Sequence, residues 1–235
     1  MYQFKIVCLA NSRKPPSGRC IAGKQWDAGK AGPWLRPVST RASHEVSESE
    51  RRYPDGHLAQ LLDIVTVPLI EPKPFHFQHE NHVLDDEYYW QKSGVASWAN
   101  VRACLDSFDQ EFWSRSQSTY HGMNDKIAEA EVQCFGSSLK LIEVTDLQIV
   151  VQMEGGFEGR PGKRKVRARF VYGRQHYLLS VSDAALEDQY LKRGDGTYPV
   201  GLAILCISLV EVFHGFSFRV VASVITPEHC GAPHA

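Results

Sequence analysis

The sequence predicts a mainly β protein in which two small barrels are joined by a helical segment. Short runs rich in β-branched and aromatic residues recur in both halves of the 235-residue chain. They lack the regular alternation of strands and helices that marks a parallel sheet. One stretch near the middle changes to a helical period. Hydrophobic residues make up 43% of the chain and charged residues 23%, which is typical of a protein with a sizeable core.

Four strands are predicted in the N-terminal half. Phe4–Ala10 is apolar on both faces, and the prolines and glycine that follow it indicate a loop. Further strands are predicted over Arg19–Trp26, Trp34–Ser39 and Leu61–Ile70. Residues 40–57 are mostly polar and are predicted to be an excursion on the surface.

The middle of the chain carries the predicted helical segment. Its apolar residues recur at three- and four-residue steps, as on an amphipathic helix. These residues are Trp98, Val101, Leu105, Phe108 and Phe112. The helix is predicted to end near Trp113, and a shorter helical patch is predicted over Lys126–Val132. This stretch is therefore predicted to join the two halves.

The C-terminal half returns to strands, with one short helix predicted over Asp183–Leu191. The strands are predicted over Leu139–Val144, Leu147–Met153, Lys165–Tyr172, Gln175–Val181, Ala203–Leu209 and Phe216–Ile225. Gly173 supplies the positive φ that a hairpin turn between two of them needs. No repeat of fixed period links the two halves of the sequence.

Positive charge is concentrated in two stretches, although the formal net charge is only −1. The first stretch contains Asp27 as its one acid and also holds Trp26 and Trp34; its cations are Arg13, Lys14, Arg19, Lys24, Lys30, Arg36 and Arg41. The second runs from Gly159 to Gln175 and contains no acid; its cations are Arg160, Lys163, Arg164, Lys165, Arg167, Arg169 and Arg174. Nucleic-acid binding by a near-neutral chain depends on such uneven placement of charge.

These stretches supply the candidate nucleic-acid-binding residues. Cations along a groove displace counterions from phosphates, and aromatic rings stack on unpaired bases. Because side chains alternate along a strand, Arg167 and Arg169 are predicted to share one face. The predicted phosphate-binding residues are Lys14, Arg19, Lys24, Arg36, Lys163, Arg164, Lys165, Arg167, Arg169 and Arg174. The predicted stacking residues are Trp26, Trp34 and Tyr172.

An alternative interpretation assigns these residues no ligand. Outward-facing strand positions often carry Lys or Arg, partly because charge discourages pairing between sheet edges. Trp26 and Trp34 also suit the core of a small barrel. The binding hypothesis predicts that reversing the charges of Arg164, Lys165 and Arg167 together weakens binding without unfolding the protein.

No catalytic, metal or cofactor site is predicted. His76, His79 and His82 lie close together beside Glu80, but their spacing matches no standard metal-binding template. The acids at 85–87 are interpreted as a solvated turn. Phosphate-binding loops, dinucleotide fingerprints, nucleophile elbows and zinc-protease helices are absent from the sequence.

The sequence is expected to belong to a cytoplasmic protein without a membrane segment. The N-terminus lacks the basic and long apolar regions of a signal peptide. Uninterrupted apolar runs stay well below the roughly 18 residues of a membrane helix. The six cysteines are dispersed without a C-x-x-C pair, which is typical of reduced thiols rather than of a disulfide framework.

Four segments of the chain form a recognisable set: Lys5–Lys14, Ser17–Lys24, Trp34–Ser39 and Cys206–Ala222. Together they resemble a bacterial family that carries a dual OB-containing domain. The resemblance implies two OB-type barrels and, from that fold, nucleic-acid binding; it brings no catalytic residues with it. Combined with the predicted elements, it gives an N-terminal OB-like barrel over residues 1–92, a helical connector over 93–135 and a C-terminal OB-like barrel over 136–228.

The sequence therefore predicts a non-catalytic module that binds single-stranded DNA or RNA. Two other hypotheses remain open. One is an enzyme acting on nucleotides or nucleic acid, with Asp85, Asp86 or His79 as the candidate chemistry. The other is an adaptor whose partner is another protein, with the aromatic-rich stretch Tyr88–Trp113 as its surface.

Overall fold

The protein is mainly β and forms two six-stranded sheets. The structure is a computed structural model, and it describes residues 1–108, 113, 116–156 and 161–231. The chain divides into two compact units. Unit 1 comprises Met1–Leu105, Gly136–Leu139 and Pro227–Ala235, and unit 2 comprises Asp106–Phe135 and Lys140–Thr226. Among the described residues, no helix is both long enough and apolar enough to cross a membrane.

Unit 1 contains the first six strands. They are β1 (Tyr2–Lys14), β2 (Gly18–Asp27), β3 (Lys30–Val38), β4 (Asp63–Pro72), β5 (Asn81–Leu84) and β6 (Gln91–Val95). β1 pairs antiparallel with both β2 and β4, and β3 pairs antiparallel with β2 but parallel with β5. Because β5 also pairs with β4, the hydrogen bonding passes through β1, β2, β3, β5 and β4 and returns to β1. β6 adds a sixth strand beside β4.

The core of unit 1 is built largely from the strands of this ring. Alternate apolar side chains from its strands, joined by buried Trp90, form one cluster with almost no exposed surface. Two residues of that cluster, Cys8 and Leu35, flank Gly23 in the strand register. A Cβ on Gly23 would lie 2.1 Å from the carbonyl oxygen of Val7, so the close approach of β1 and β2 requires glycine there.

Unit 2 contains the other six strands. They are β7 (Lys126–Ala128), β8 (Leu139–Glu154), β9 (Lys163–Tyr172), β10 (Gln175–Val181), β11 (Gly196–Leu209) and β12 (Phe216–Ile225). The sheet order is β10-β9-β8-β11-β12-β7, and β10 also pairs parallel with β12. Five strands therefore again form a ring of pairings, in the order β8-β9-β10-β12-β11. This is the strand order of unit 1, including the parallel pairing of the third and fifth strands.

In the described part of the chain, three short α-helices accompany the strands: α1 (Trp98–Ala103), α2 (Glu129–Val132) and α3 (Ala184–Leu191). α1 begins with a capping box at Ser97 and ends well before the predicted end near Trp113; the predicted stripe residue Phe112 lies outside the described residues. Of the predicted connector 93–135, α1 belongs to unit 1, whereas β7 and α2 belong to unit 2.

Cysteine reactivity provides a direct test of this core. All six cysteines are free thiols; Cys8 is fully buried, whereas Cys134 is exposed. Burial raises the pKa of the Cys8 thiol to about 12, so the reactive thiolate of Cys8 forms only in strong alkali. Native protein treated with iodoacetamide at pH 8 is expected to be labelled at Cys134 and not at Cys8, as read by peptide mass spectrometry. Equal labelling rates for these two residues would contradict the buried position of β1.

Candidate nucleic-acid interface

A cationic pocket of about 230 Å³ lies in unit 1 at the turn between β1 and β2. We call it the hairpin pocket. Its wall contains the turn Pro15–Gly18 together with four cations and one acid, Glu48, so the charged groups among the described lining residues sum to +3 (four minus one). The cations are Arg13, Lys14, Arg19 and Arg51. This pocket combines two of the predicted phosphate-binding residues, Lys14 and Arg19, with two that were not assigned to the site.

The hairpin places two arginines directly opposite each other. Arg13 on β1 pairs with Arg19 on β2, and Lys14 pairs with Gly18. Opposed residues of an antiparallel pair project to the same face with their Cβ atoms about 4.5–5.5 Å apart, so like charges there repel each other. Gly18 permits the close approach of Glu45 to the hairpin, because a Cβ at Gly18 would lie 2.2 Å from Cγ of Glu45. The hairpin therefore concentrates positive charge at the cost of local repulsion.

Arg51 reaches the pocket from the segment that follows β3. Arg19 forms a bridge with Val46, with both backbone N–H···O distances at 2.8 Å, and this bridge fixes the segment beside β2. The Arg51 side chain is 5% exposed, and its Nη1 donates to the carbonyl oxygen of Ala59 at 3.3 Å. Burial, and next the charge of Arg19, lower the pKa of Arg51. The second of these causes places the positive charges of Arg19 and Arg51 close to each other.

The other acids of this segment do not offset the pocket. Arg41 binds the carboxylates of both Glu45 and Glu50. Glu48 is the acid in the pocket wall, but its side chain is 71% exposed and its Oε1 lies 4.0 Å from Nη2 of Arg51. An ion pair at that distance and exposure contributes little.

The other predicted residues of the first stretch are buried in unit 1. Arg36 is 2% exposed, and its Nη2 lies 3.1 Å from Oε1 of Glu80 and donates to Oγ of Ser138 at 2.9 Å. Its charge is therefore already satisfied by a buried carboxylate. Lys24 is also buried and lies 5.4 Å from the ring centroid of Trp34. Neither cation presents a charge to solvent.

The two tryptophans of the first stretch do not form an open stacking platform. Trp26 and Trp34 are each 9% exposed. Trp26 contributes to the wall of a second cavity, of about 590 Å³, together with Phe4 and Lys5. A base cannot stack on a ring whose face is covered, so stacking on these two rings is not supported by the geometry.

Unit 2 contains a second group of cations, which we call the β9 row. Its members are exposed, and they are Lys163, Arg164, Lys165, Arg169 and Arg174. Arg164 has a surface ion pair with Asp195 at 2.8 Å. For Lys163, Lys165 and Arg169 the described part of the chain records no carboxylate within ion-pair distance. The exposed side chains of Lys163, Lys165 and Arg169 can therefore contact an anion.

Arg167 interrupts this row because its side chain is buried. It is 5% exposed, and its Nε and Nη2 donate to the two carboxylate oxygens of Glu154 at 2.6 and 3.0 Å. Its Nη1 lies 3.5 Å from Oδ2 of Asp125. The reason is tertiary: residues 118–125 pack beside β9 and β10, with Met123 hydrogen-bonded to Leu178. The alternation of side chains along β9 was predicted from the sequence, but the packing of residues 118–125 over Arg167 was not.

Tyr172, the third predicted stacking residue, is also buried. It is 8% exposed, and its ring centroid lies 5.4 Å from that of Phe108. Its ring is therefore part of the packed interior of unit 2 rather than an open face. The three rings assigned to base stacking are thus all more than nine-tenths buried.

The histidine-rich segment does not form a metal site in the described residues, where no group of three or more His, Cys, Asp or Glu side chains has a ligand-like arrangement. His82 instead forms a hydrogen bond of 2.5 Å between its Nδ1 and the hydroxyl of Tyr2. Burial lowers the pKa of His82. His79 and Asp86 are exposed.

The geometry defines a protein with two β units of one strand order, one of which carries a cationic pocket at its first hairpin. The chain belongs to the family with a dual OB-containing domain, whose sequence profile matches residues 4–224. This match confirms the resemblance seen in the sequence, and it covers strands of both units. No match was found among curated proteins or among solved structures.

Proposed function

We propose that each five-strand ring is a closed OB barrel and that the protein binds single-stranded nucleic acid through the cations of both units. The OB fold is a five-stranded Greek-key barrel that binds oligonucleotides with its second and third strands and with the loop between its first and second strands. The observation that carries the proposal is the hairpin pocket, because it lies at that loop of unit 1 and has a net charge of +3 in its wall.

The proposed interface differs from the set predicted from the sequence. In unit 1 it keeps Lys14 and Arg19 and adds Arg13, which is exposed, and Arg51, which is 5% exposed but lines the pocket. In unit 2 it keeps the β9 row. Residues buried in ion pairs or in the interior are left out, and they are Lys24, Trp26, Trp34, Arg36, Arg167 and Tyr172.

Burial of the predicted stacking rings determines the kind of binding that is proposed. Base stacking contributes about 1–3 kcal/mol per base where rings are open, and here the three assigned rings are covered. Phosphate contacts then provide most of the affinity, and such contacts carry no sequence information. The affinity for a single strand therefore depends steeply on salt concentration and weakly on the nucleotide sequence.

The test is a titration of a fluorescein-labelled 20-nucleotide strand, followed by anisotropy at several salt concentrations. Each phosphate contact to a single strand adds about 0.7 to the slope of log K against log salt. The variant Arg13→Gln/Arg19→Gln is expected to reduce that slope by about 1.4. Lys165→Gln/Arg169→Gln is expected to reduce it by a similar amount. Both variants are expected to fold as the parent does, because Arg13, Lys165 and Arg169 are exposed and Arg19 is only half-buried.

Lys30→Gln is the matched control, because Lys30 is an exposed cation of the first stretch that lies outside the hairpin pocket. It is expected to leave the slope nearly unchanged. Duplex DNA of the same length serves as a competitor that reports strand preference. If affinity is flat between 50 and 200 mM salt, or if both double variants bind like the parent, the proposal is wrong.

A further inference from the structure

We infer that the cavity of about 590 Å³ in unit 1 binds one guanine base of the bound strand by the polar edge of that base. We call it the fork cavity. Its wall includes Phe4, Lys5, Gln25, Trp26, Asp27 and Ile64. This inference rests on the proposed function, because the bound strand supplies the base. It depends on the position of the cavity, its size and the unpaired polar groups of its wall.

The fork cavity lies where β1 and β2 separate. The pairing of these two strands begins at Ile6 and Gln25. On the far side of that pair, Phe4 and Lys5 of β1 are paired with β4, whereas the end of β2 is paired with β3. The wall contains residues from both arms of this fork and from β4 and β6, all of them in unit 1. The opening between the arms therefore leaves room for a ligand within a single unit.

The size and apolar lining of the fork cavity suit one heteroaromatic ring system. Its volume lies within the roughly 300–1,000 Å³ of small-molecule sites, which combine apolar walls with a few polar groups. Phe4 and Ile64, both half-buried, supply apolar surface. An unstacked base of a single strand has apolar faces and a polar edge, and proteins read it by hydrogen bonds to that edge.

Trp26 supplies a hydrogen-bond donor without a partner. It is 9% exposed, and its indole N–H forms no hydrogen bond within the described chain, although a buried tryptophan usually satisfies this group. The indole nitrogen of Trp90 is both unpaired and sealed from solvent, but that of Trp26 is not sealed, so a ligand in the cavity can reach it. This contact is a hydrogen bond from the ring edge and requires no open ring face.

Gln25 and Asp27 supply acceptors on the same arm of the fork. Neither side chain has a hydrogen bond or an ion pair among the residues that the structure describes, although Lys30 lies opposite Asp27 in the register. Because they are two residues apart on β2, the two side chains project to the same face of that strand. The wall therefore combines a carboxylate, an amide and an indole N–H that all have hydrogen-bonding capacity left for a ligand.

This set of groups matches guanine better than the other bases. Guanine presents two neighbouring donors, N1–H and the N2 amino group, beside the acceptor O6, and no other standard base has two adjacent donors on its Watson–Crick edge. The two oxygens of the Asp27 carboxylate accept both donors. The indole of Trp26 and the exposed ammonium of Lys5 only donate, and they suit O6. The base specificity expected of the cavity is therefore for guanine.

The experiment is a competition assay against the labelled strand at one salt concentration. The competitors are unlabelled 20-nucleotide thymidine strands in which every fourth nucleotide is guanine, adenine, cytosine or inosine, because isolated guanines do not form four-stranded structures. The guanine strand is expected to compete at least about 5-fold better than the adenine and cytosine strands, the discrimination typical of one bidentate contact to a base. The inosine strand lacks the N2 amino group and should lose most of this advantage.

Asp27→Asn is the test variant and Asp86→Asn is its matched control. Both acids are exposed, and of the two only Asp27 lines the cavity, so both variants are expected to fold as the parent does. Each removes one negative charge, so a general gain in phosphate binding is common to both. The measured quantity is the ratio of the affinities for the guanine and adenine strands. It should fall to about one in Asp27→Asn and persist in Asp86→Asn.

The outcomes separate this inference from the proposed function. If all the strands compete equally, the guanine inference is overturned while nucleic-acid binding stands. If no strand binds, but guanosine monophosphate binds the parent protein and not Asp27→Asn in calorimetry, the cavity takes the base from a free nucleotide and the proposed function is wrong. If the guanine preference survives in Asp27→Asn, it arises elsewhere and the assignment to the fork cavity is overturned.

Discussion

Replacing Arg167 by methionine is expected to lower the free energy of unfolding of unit 2 by about 3–5 kcal/mol, because a buried ion pair would lose its cation. The guanidinium binds both oxygens of Glu154 and lies 3.5 Å from Asp125. Without it, two carboxylates that are largely shielded from water remain uncompensated. Since domains are stabilised by only about 5–15 kcal/mol, this loss is a large fraction of the stability of unit 2.

Hydrogen exchange followed by mass spectrometry would localise the effect, with loss of protection expected in β8 and β9. Arg169→Met is the matched control, because Arg169 lies two residues along the same strand and is exposed. Its exchange pattern should match that of the parent. Equal protection of β9 in Arg167→Met and Arg169→Met would show that the ion pair contributes nothing to stability.

The pH dependence of the Arg167→Met variant gives a second measurement of the same ion pair. Burial raises the pKa of Glu154, but hydrogen bonds and charge from Arg167 more than offset this, and the net pKa is lowered. A lowered folded-state pKa gives stability that is present above the unfolded value of about 4.3 and is lost as the pH falls through the folded value. The Tm difference between parent and variant should therefore narrow as the pH is lowered from 7 to below 4.

This result also changes how a charge-reversal experiment is interpreted. The sequence alone leads to the expectation that reversing Arg164, Lys165 and Arg167 weakens binding without unfolding the protein. The buried ion pair of Arg167 implies that this triple variant loses the structure of unit 2 as well. Lost binding in that variant would then say nothing about phosphate contacts. Lys165 and Arg169, which are exposed, are the appropriate pair.

Strands whose own residues show an apolar pattern could be predicted from the sequence. Strands that form only because they hydrogen-bond to a neighbouring strand could not. β12 has the predicted bounds, Phe216–Ile225. β6 was missed because Gln91–Val95 is polar and mostly exposed, and only its pairing with β4 makes it a strand. β5, at four residues, is too short for a pattern to register. The shared strand order of the two units likewise resides in hydrogen bonding rather than in any repeat of residues.

The candidate site could be predicted only as a region. Charge density directs attention to the first hairpin, yet it does not distinguish Arg19, which lines the pocket, from Arg36, which is buried against Glu80. That difference depends on which distant segment covers each strand. Arg51 could not be assigned because the bridge between Arg19 and Val46, which brings its segment to β2, is a tertiary contact. Sequence charge therefore marks candidates, and burial decides among them.

Replacing Arg36 by methionine is expected to destabilise unit 1 by about 3–5 kcal/mol, again because a buried carboxylate loses its cation. Glu80 is 6% exposed, and it also accepts a hydrogen bond from Oγ of Ser138. Four of the five tryptophans lie in unit 1, so guanidinium denaturation followed by tryptophan fluorescence reports mainly on this unit. The midpoint should fall clearly in Arg36→Met and little in Lys30→Met, an exposed cation of the same strand.

A second substitution distinguishes the lost charge from the lost packing. Removing one partner of a buried ion pair is strongly destabilising, whereas neutralising both costs far less, because no uncompensated charge remains. Arg36→Met/Glu80→Gln should therefore regain much of the stability lost in Arg36→Met, since the amide keeps a carbonyl oxygen for Ser138. If the double variant is as unstable as the single one, the methylene packing of Arg36 is its main contribution. Recovery of stability would instead establish that the charge of Arg36 compensates the carboxylate of Glu80 inside unit 1 and does not bind a phosphate.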